Sequence, residues 1–305
     1  MGDAALSLTW RQLLTQVAAQ LADAAALEPD VRADAQREAR LLVAGVQDWS
    51  PGQLAHQIDA VAPASAVPHV AAATARRVRG EPLAYAVGTA AFRHLTLQVD
   101  ARVLIPRPET EVVVGEALAA TADRPGGIAV DIGTGSGAIA LALATEGRFD
   151  RVIATDISAD ALEVARANAE AIGGATPVEF RMGADLAPIH GVRARVLVSN
   201  PPYISFEEAA ALPASVRDWE PATALYAADE GMARYAALLA GAADLLEPDG
   251  VLVLEVDANR AAATAALAVS AGWRVERLVQ DLSGRDRVLV VRPARTPGAF
   301  PHDAQ

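Results

Sequence analysis

From about residue 127 the chain alternates short apolar runs with helical stretches, and that alternation constrains the fold more than any other feature. "GIAVDI", "RVIATD", "PVEFRM", "RVLVSN" and "VLVLEV" read as strands, separated by segments such as "ADALEVARANAEAIG". Strands joined through helices run parallel, and helices then cover both faces of the sheet. The last two strands, "WRVERLVQ" and "RVLVVR", are linked only by "DLSGRD". That link is too short for a helical crossover, so these two pair antiparallel. The expected fold is α/β, a Rossmann-like sheet that is mostly parallel with its last strand antiparallel.

Upstream, residues 10 to about 79 read as helical. "WRQLLTQVAAQLADAAAL" sets Trp10, Leu13, Leu14, Val17 and Leu21 on one face, and breaks at "SPG" and "APAS" divide the stretches that follow. The expected organisation is a small all-helical N-terminal domain over 1–80 and a β-hairpin connector over 81–108. A sheet domain over 109–293 and a disordered tail over 294–305 complete it. Within the connector, Phe92, Leu95, Leu97 and Val99 fit short extended segments. Pro108 suits the first turn of a helix starting near Glu109.

Composition narrows the function. No apolar run approaches a membrane span, and the N-terminus lacks a basic region followed by an apolar core, so neither a membrane protein nor a signal peptide is expected. There are no cysteines, and the five histidines form no pair at metal-ligand spacing. A cytoplasmic, metal-free protein is the expectation. Net charge is −12, so nucleic acid could be held only through a local basic patch. The one compact cluster, Arg76, Arg77 and Arg79 in "ARRVRG", fits the solvated end of a helix.

"AVDIGTGSGAIALAL" is a strand, a glycine turn and a helix. Gly133, Thr134, Gly135 and Gly137 let the backbone turn sharply and approach a ligand beside a helix N-terminus. The spacing also satisfies the dinucleotide fingerprint. Three acids accompany it: Asp131 two residues before the first glycine, Asp156 ending the second strand, and Asp185 beyond the third. Asp131 is expected to face a cationic ligand, and Asp156 to bind both hydroxyls of a ribose. An extra carboxylate beside the turn suits a sulfonium or an ammonium better than a pyrophosphate. S-adenosylmethionine is therefore preferred to NAD, although Asp156 and Asp185 taken singly also fit helix N-caps.

The fourth strand runs into Asn200-Pro201-Pro202-Tyr203. The prolines fix two φ angles and hold the preceding Asn200 extended. Such stiffness suits a planar, conjugated NH2 group, whose nitrogen is a poor nucleophile until its N–H groups are bonded. The Asn200 side-chain oxygen and the Pro201 carbonyl are the expected acceptors, with Pro202 and Tyr203 shaping the place where the planar group lies and Tyr203 stacking on it. A plain strand-ending turn with Tyr203 in the core is the structural alternative.

With these motifs in hand, the sequence resembles the release-factor glutamine methyltransferases, the HemK/PrmC family of class I S-adenosylmethionine-dependent enzymes. "EPLAYAVGTAAF", "LIPRPETE", "DIGTGSGAIAL" and "SNPPYI" carry the resemblance, with "VRDWEPATALYAADEGM" as a fifth stretch. It implies methyl transfer from S-adenosylmethionine, leaving S-adenosylhomocysteine, to the side-chain amide of the glutamine in the Gly-Gly-Gln tip of bacterial class 1 peptide chain release factors. It also implies that Asn200 and Pro201 bind the amide and Tyr203 places it. Gly133, Asp156, Asp185 and Asn200 contact the cofactor, "IPRPETE" borders the pocket, and the helical module helps bind the release factor. The chain departs from the family's usual residues at Ala84, Asp257 and Arg260.

The motif alone leaves other functions open. An adenine amino-methyltransferase acting on DNA meets the same planar NH2, but a base-flipping enzyme needs a basic track that this chain lacks. A non-catalytic cofactor-binding module and an NAD-dependent oxidoreductase are the remaining alternatives.

Overall fold

In the computed structural model, residues 8–294 are described. The expected tail therefore lies outside the described residues except for Ala294, and so does most of the stretch on which the signal-peptide reading rests. The chain folds as two compact units: one runs up to Thr89 and takes in Val99–Ala101 and Ala210–Glu220, and the other holds the remainder.

The helical unit is built on Trp10–Ala22, Ala35–Val46 and Ala66–Val78, with shorter helices at Pro29–Ala33, Pro51–Gln57 and Leu83–Val87. Its first helix begins with a capping box, in which Thr9 accepts from the Gln12 amide and the Gln12 side chain accepts from the Thr9 amide. The five apolar residues named from sequence are all buried, and Leu42, Val43 and Val70 join them in one core. The arginine cluster stands at the end of the helix Ala66–Val78 as expected, but Arg77 departs from the solvated setting. Arg77 is 4% exposed, donates to Glu38 at 2.7 Å and to the Glu81 carbonyl at 2.9 Å, while Arg76 pairs with the Glu81 carboxylate. Burial forces the Arg77 charge to be paired, so this arginine ties two helices of the unit together. The segment Ala210–Glu220 belongs to this unit, and within it Ser215 donates its amide to Glu28 at 3.4 Å.

Among the described residues there are nine strands. β1 (Thr89–Phe92) and β2 (Leu95–Gln98) form the hairpin, and the helix Leu83–Val87 precedes them within the stretch expected to be connector. The main sheet contains β3 (Ile128–Ile132), β4 (Arg151–Asp156), β5 (Val178–Met182), β6 (Ala194–Ser199), β7 (Leu246–Glu255), β8 (Trp273–Gln280) and β9 (Asp286–Pro293). Their spatial order is β5-β4-β3-β6-β7-β9-β8. The first five pair parallel, and β9 inserts antiparallel between β7 and β8. This is the expected Rossmann-like sheet, mostly parallel with its last strand antiparallel.

Side-chain alternation divides the core between the two faces. Ala129, Val196, Val198, Val251, Val253 and Val290 pack on one side with Leu141, Leu143 and Val113. Val130, Ile132, Leu197, Leu252, Leu254 and Leu289 pack on the other with Leu238, Leu239 and Trp273. Each fully buried Val or Leu contributes roughly 1.5–3 kcal/mol. The sheet is thus a rigid plate, and the site stands on its edge.

Candidate active site

The chain winds outward from β3 to β5, then crosses back to β6 on the other side of β3. Strand order reverses at β3, and the crevice at the carboxyl ends of such strands is where open α/β sheets bind ligands. Register makes this local. Ile132 pairs with Thr155 on one side and Ser199 on the other, so the next residues, Gly133, Asp156 and Asn200, come together at the sheet edge. The cleft they open holds about 850 Å³, its open mouth included, and its walls include Gly133, Gly135, Asp156, Asp185, Asn200, Pro201 and Pro202.

The glycine turn is tied to β4, with Gly133 and Thr134 both donating amides to the Thr155 carbonyl at 2.9 and 2.8 Å. Gly133 and Gly135 have φ of 77° and 54°, and a Cβ on either would meet nothing within 4 Å. These positions leave bare backbone facing open space, the form needed for close approach of a ligand. Asp156 holds the turn from the other side, accepting from the Gly135 amide and the Ser158 amide, each at 2.9 Å. Asn168, 1% exposed, donates to the Ser136 carbonyl at 2.9 Å and clasps β2 through Gln98. Nothing in the glycine motif points to Asn168, which reaches it from a helix thirty residues on.

Asp131 corrects the expectation made of it. It lies on the same face of β3 as Ala129, which directs it at the helix Ala138–Glu146 and away from the cleft. Its Oδ2 accepts from the Thr134 hydroxyl at 2.6 Å and the Ala140 amide at 3.1 Å, while Oδ1 has no partner among the described residues. Burial pushes this carboxyl up to about 7. Thr134 and Gly137 likewise stand behind the turn. Thr134 is spent on Asp131, and a Cβ at Gly137 would crowd Leu141 at 3.1 Å. Asp185 lines the cleft as expected, but it is bonded by Arg234 Nη1 to both its oxygens at 3.0 Å.

These walls fit S-adenosylmethionine. Bare glycine backbone leaves room for close approach of a ligand, and the Asp156 carboxylate beside it is of the kind that accepts from ribose hydroxyls or faces a positive charge. Ile157, 57% exposed on the cleft wall, offers an apolar surface for a flat ring.

On the β6 side, Asn200 donates its Nδ2 to the Thr110 hydroxyl at 3.2 Å, and Thr110 donates to Glu255 at 2.6 Å. Neither Thr110 nor Glu255 was singled out in the sequence, although a carboxylate at the end of the apolar run "VLVLEV" is a signal in itself. Glu255 is 1% exposed, and burial pushes its carboxyl up to about 7. Tyr203 is not on the cleft wall. Its half-buried ring packs against the second core, and burial, with Glu255 adding, pushes the phenol up to about 12. The loop beyond is pinned where Ile204 exchanges backbone bonds with Leu225 and Ala227 at 3.1 and 2.9 Å. Arg260, one of the departures, bonds Glu208 at 2.6 Å and Asp257, another departure, at 3.1 Å. These two residues brace that loop.

Comparison with known proteins agrees with the geometry. Residues 12–88 match the PrmC N-terminal domain, and residues 113–214 match the Methyltransferase small domain. The release factor glutamine methyltransferase of Moorella thermoacetica is 40% identical over 92% of this chain and 97% of that protein. The chain belongs to the release factor glutamine methyltransferase family. The enzymes of that name from Cereibacter sphaeroides and Yersinia pestis are 38% and 45% identical, over 87% and 70% of this chain and 93% and 76% of their own lengths. Membership makes the chain a methyltransferase that uses S-adenosylmethionine. Among the described residues no helix is long and apolar enough to cross a membrane.

Proposed function

We propose that this protein transfers a methyl group to the side-chain amide nitrogen of the glutamine in the Gly-Gly-Gln motif of bacterial class 1 peptide chain release factors, in the cytoplasm. The observation that carries the reading is the setting of Asn200, whose amide nitrogen is taken up by Thr110 while its residue lines the cleft beside the glycine turn. Its oxygen is then left to accept from a substrate NH2.

S-adenosylmethionine, when bound, supplies the methyl group. The residues of this chain prepare the nitrogen that receives it. Asn200 and the Pro201 carbonyl accept the two N–H bonds, which aligns the amide and draws electron density onto its nitrogen. Pro201 and Pro202 hold those acceptors without slack, since both φ angles are locked. Tyr203 stays protonated over the physiological range and braces the turn from behind. No strong base is required, because the nitrogen becomes acidic once alkylated. The helical unit is the release-factor-binding module in this reading. Adenine in DNA is disfavoured as substrate by the net charge of −12 and by the pairing of Arg76 and Arg77 with acids.

The test is methyl transfer from labelled S-adenosylmethionine to purified release factor, beside a copy with that glutamine changed to alanine. Label on the first and none on the second is expected. Equal label on both, or label on adenine-containing DNA alone, refutes the proposal.

A further inference from the structure

A side-chain amide has two ends of almost the same shape and opposite chemistry. Asn200 serves an NH2 substrate only if its oxygen faces the cleft, because its own NH2 there would set donor against donor. Something must choose the end.

We propose that Thr110 and Glu255 make that choice: they are positioning residues that hold the Asn200 amide with its oxygen toward the substrate. This rests on the reading of Asn200 as an amide acceptor. A threonine hydroxyl has one proton to give, and an ionised carboxylate can only accept. The 2.6 Å contact commits the Thr110 proton to Glu255. The Thr110 oxygen can then only accept from its other neighbour, which must be the Asn200 NH2, at 3.2 Å. The direction of one proton thus fixes the direction of the next group. All three members are held by different elements: Asn200 follows β6, Glu255 ends β7, and Thr110 sits in the first turn of the helix Pro108–Thr121. Thr110 and Glu255 are 5% and 1% exposed, so water does not compete for these bonds.

The relay has a polarity that depends on charge. Glu255 faces Arg287 from β9, Arg107 and Glu109 from the start of the Pro108–Thr121 helix, and the Tyr203 and Tyr235 phenols. Burial outweighs the two arginines and raises the carboxyl to about 7. Above that pH the carboxylate accepts and the relay stands as described. Below it the protonated Glu255 donates to Thr110, the Thr110 proton is released toward Asn200, and the amide turns its NH2 to the cleft. Turnover is therefore expected to fall as pH drops through about 7.

The experiment measures kcat, KM for release factor and the dissociation constant of S-adenosylhomocysteine for the wild type, Thr110→Val, Thr110→Ser, Asn200→Ala and the double variant Thr110→Val/Asn200→Ala. Thr110→Val keeps the shape and removes the hydroxyl. It is expected to lower kcat about tenfold, the loss of one oriented hydrogen bond, with cofactor affinity within about twofold. Thr110→Ser is expected to restore kcat, and Thr110→Val is expected to add nothing once Asn200 is alanine. Unchanged kcat in Thr110→Val, beside a clear loss in Asn200→Ala, overturns the relay and leaves the acceptor reading standing. Unchanged kcat in both overturns the acceptor reading beneath it. A Thr110→Val loss that persists in full without Asn200 also overturns the relay. Should Thr110→Val not fold, Glu255→Gln decides. The fall in kcat below pH 7 is expected to vanish in that variant, and its persistence overturns the proposal.

Discussion

Two turns meet at the cleft, and they are rigid for opposite reasons. The glycine turn after β3 is shaped by what it lacks: at Gly133 and Gly135 open space stands where side chains would be, and backbone amides are tied to Thr155 and Asp156. The turn after β6 is shaped by what it carries: two prolines lock the backbone, and a chain of side chains runs from Asn200 through Thr110 to a buried carboxylate. A cofactor needs room and a matching charge. A poor nucleophile needs two acceptors pointing the right way. On the proposed function, the first turn answers a need for access and the second a need for orientation.

That division of labour can be broken by substitution. The largest effect belongs to the β6 side. Asn200→Ala is expected to lower turnover by about 10²-fold or more while leaving cofactor affinity nearly intact, read by steady-state kinetics and calorimetry. The converse is expected of Asp156→Ala on the glycine side. It removes a charged acceptor and the brace on the Gly135 amide, so the dissociation constant should rise about tenfold or more. If each variant moved both quantities equally, the two turns would not be separable.

A smaller effect sharpens the comparison through stability. Asp131 is buried with one oxygen unpartnered and its carboxyl pushed up to about 7. Its folded pKa lies above the unfolded one, so folding binds a proton between the two values. Stability therefore falls as pH rises from about 4 to about 7, and the full deficit is present above that. Asp131→Asn should raise the melting temperature of the cofactor-free protein at pH 8, by at most about 4 kcal/mol of stability. The gain should shrink to nothing as pH falls toward 4. Glu255 titrates in the same window in both proteins, so the difference between them isolates Asp131. An equal gain at pH 4 and pH 8 would mean that its charge is not what costs the stability.

Much of this was legible in the sequence because it depends on local chemistry. Strand and helix alternation, the glycine turn and the diproline each act over a few residues, and "DLSGRD" betrayed the antiparallel β9 through its length alone. What escaped depends on which residues meet across the chain. Thr110 and Asn200 are far apart in sequence, and so are Thr110 and Glu255. Closeness to Gly133 in sequence suggests that Asp131 faces the ligand, whereas β3 continues through Ile132 and alternation turns the side chain inward. Sequence alone makes Arg77 a solvated cation because its partner, Glu38, belongs to another helix. The membership of Ala210–Glu220 in the helical unit has no local signal.

The most direct measurement of the central claim is peptide mapping by mass spectrometry of release factor incubated with the enzyme and S-adenosylmethionine. The account predicts one methyl group, on the side-chain amide of the Gly-Gly-Gln glutamine, formed by the wild type and almost absent with Asn200→Ala. A methyl group on any other residue, or equal methylation by the variant, would contradict it.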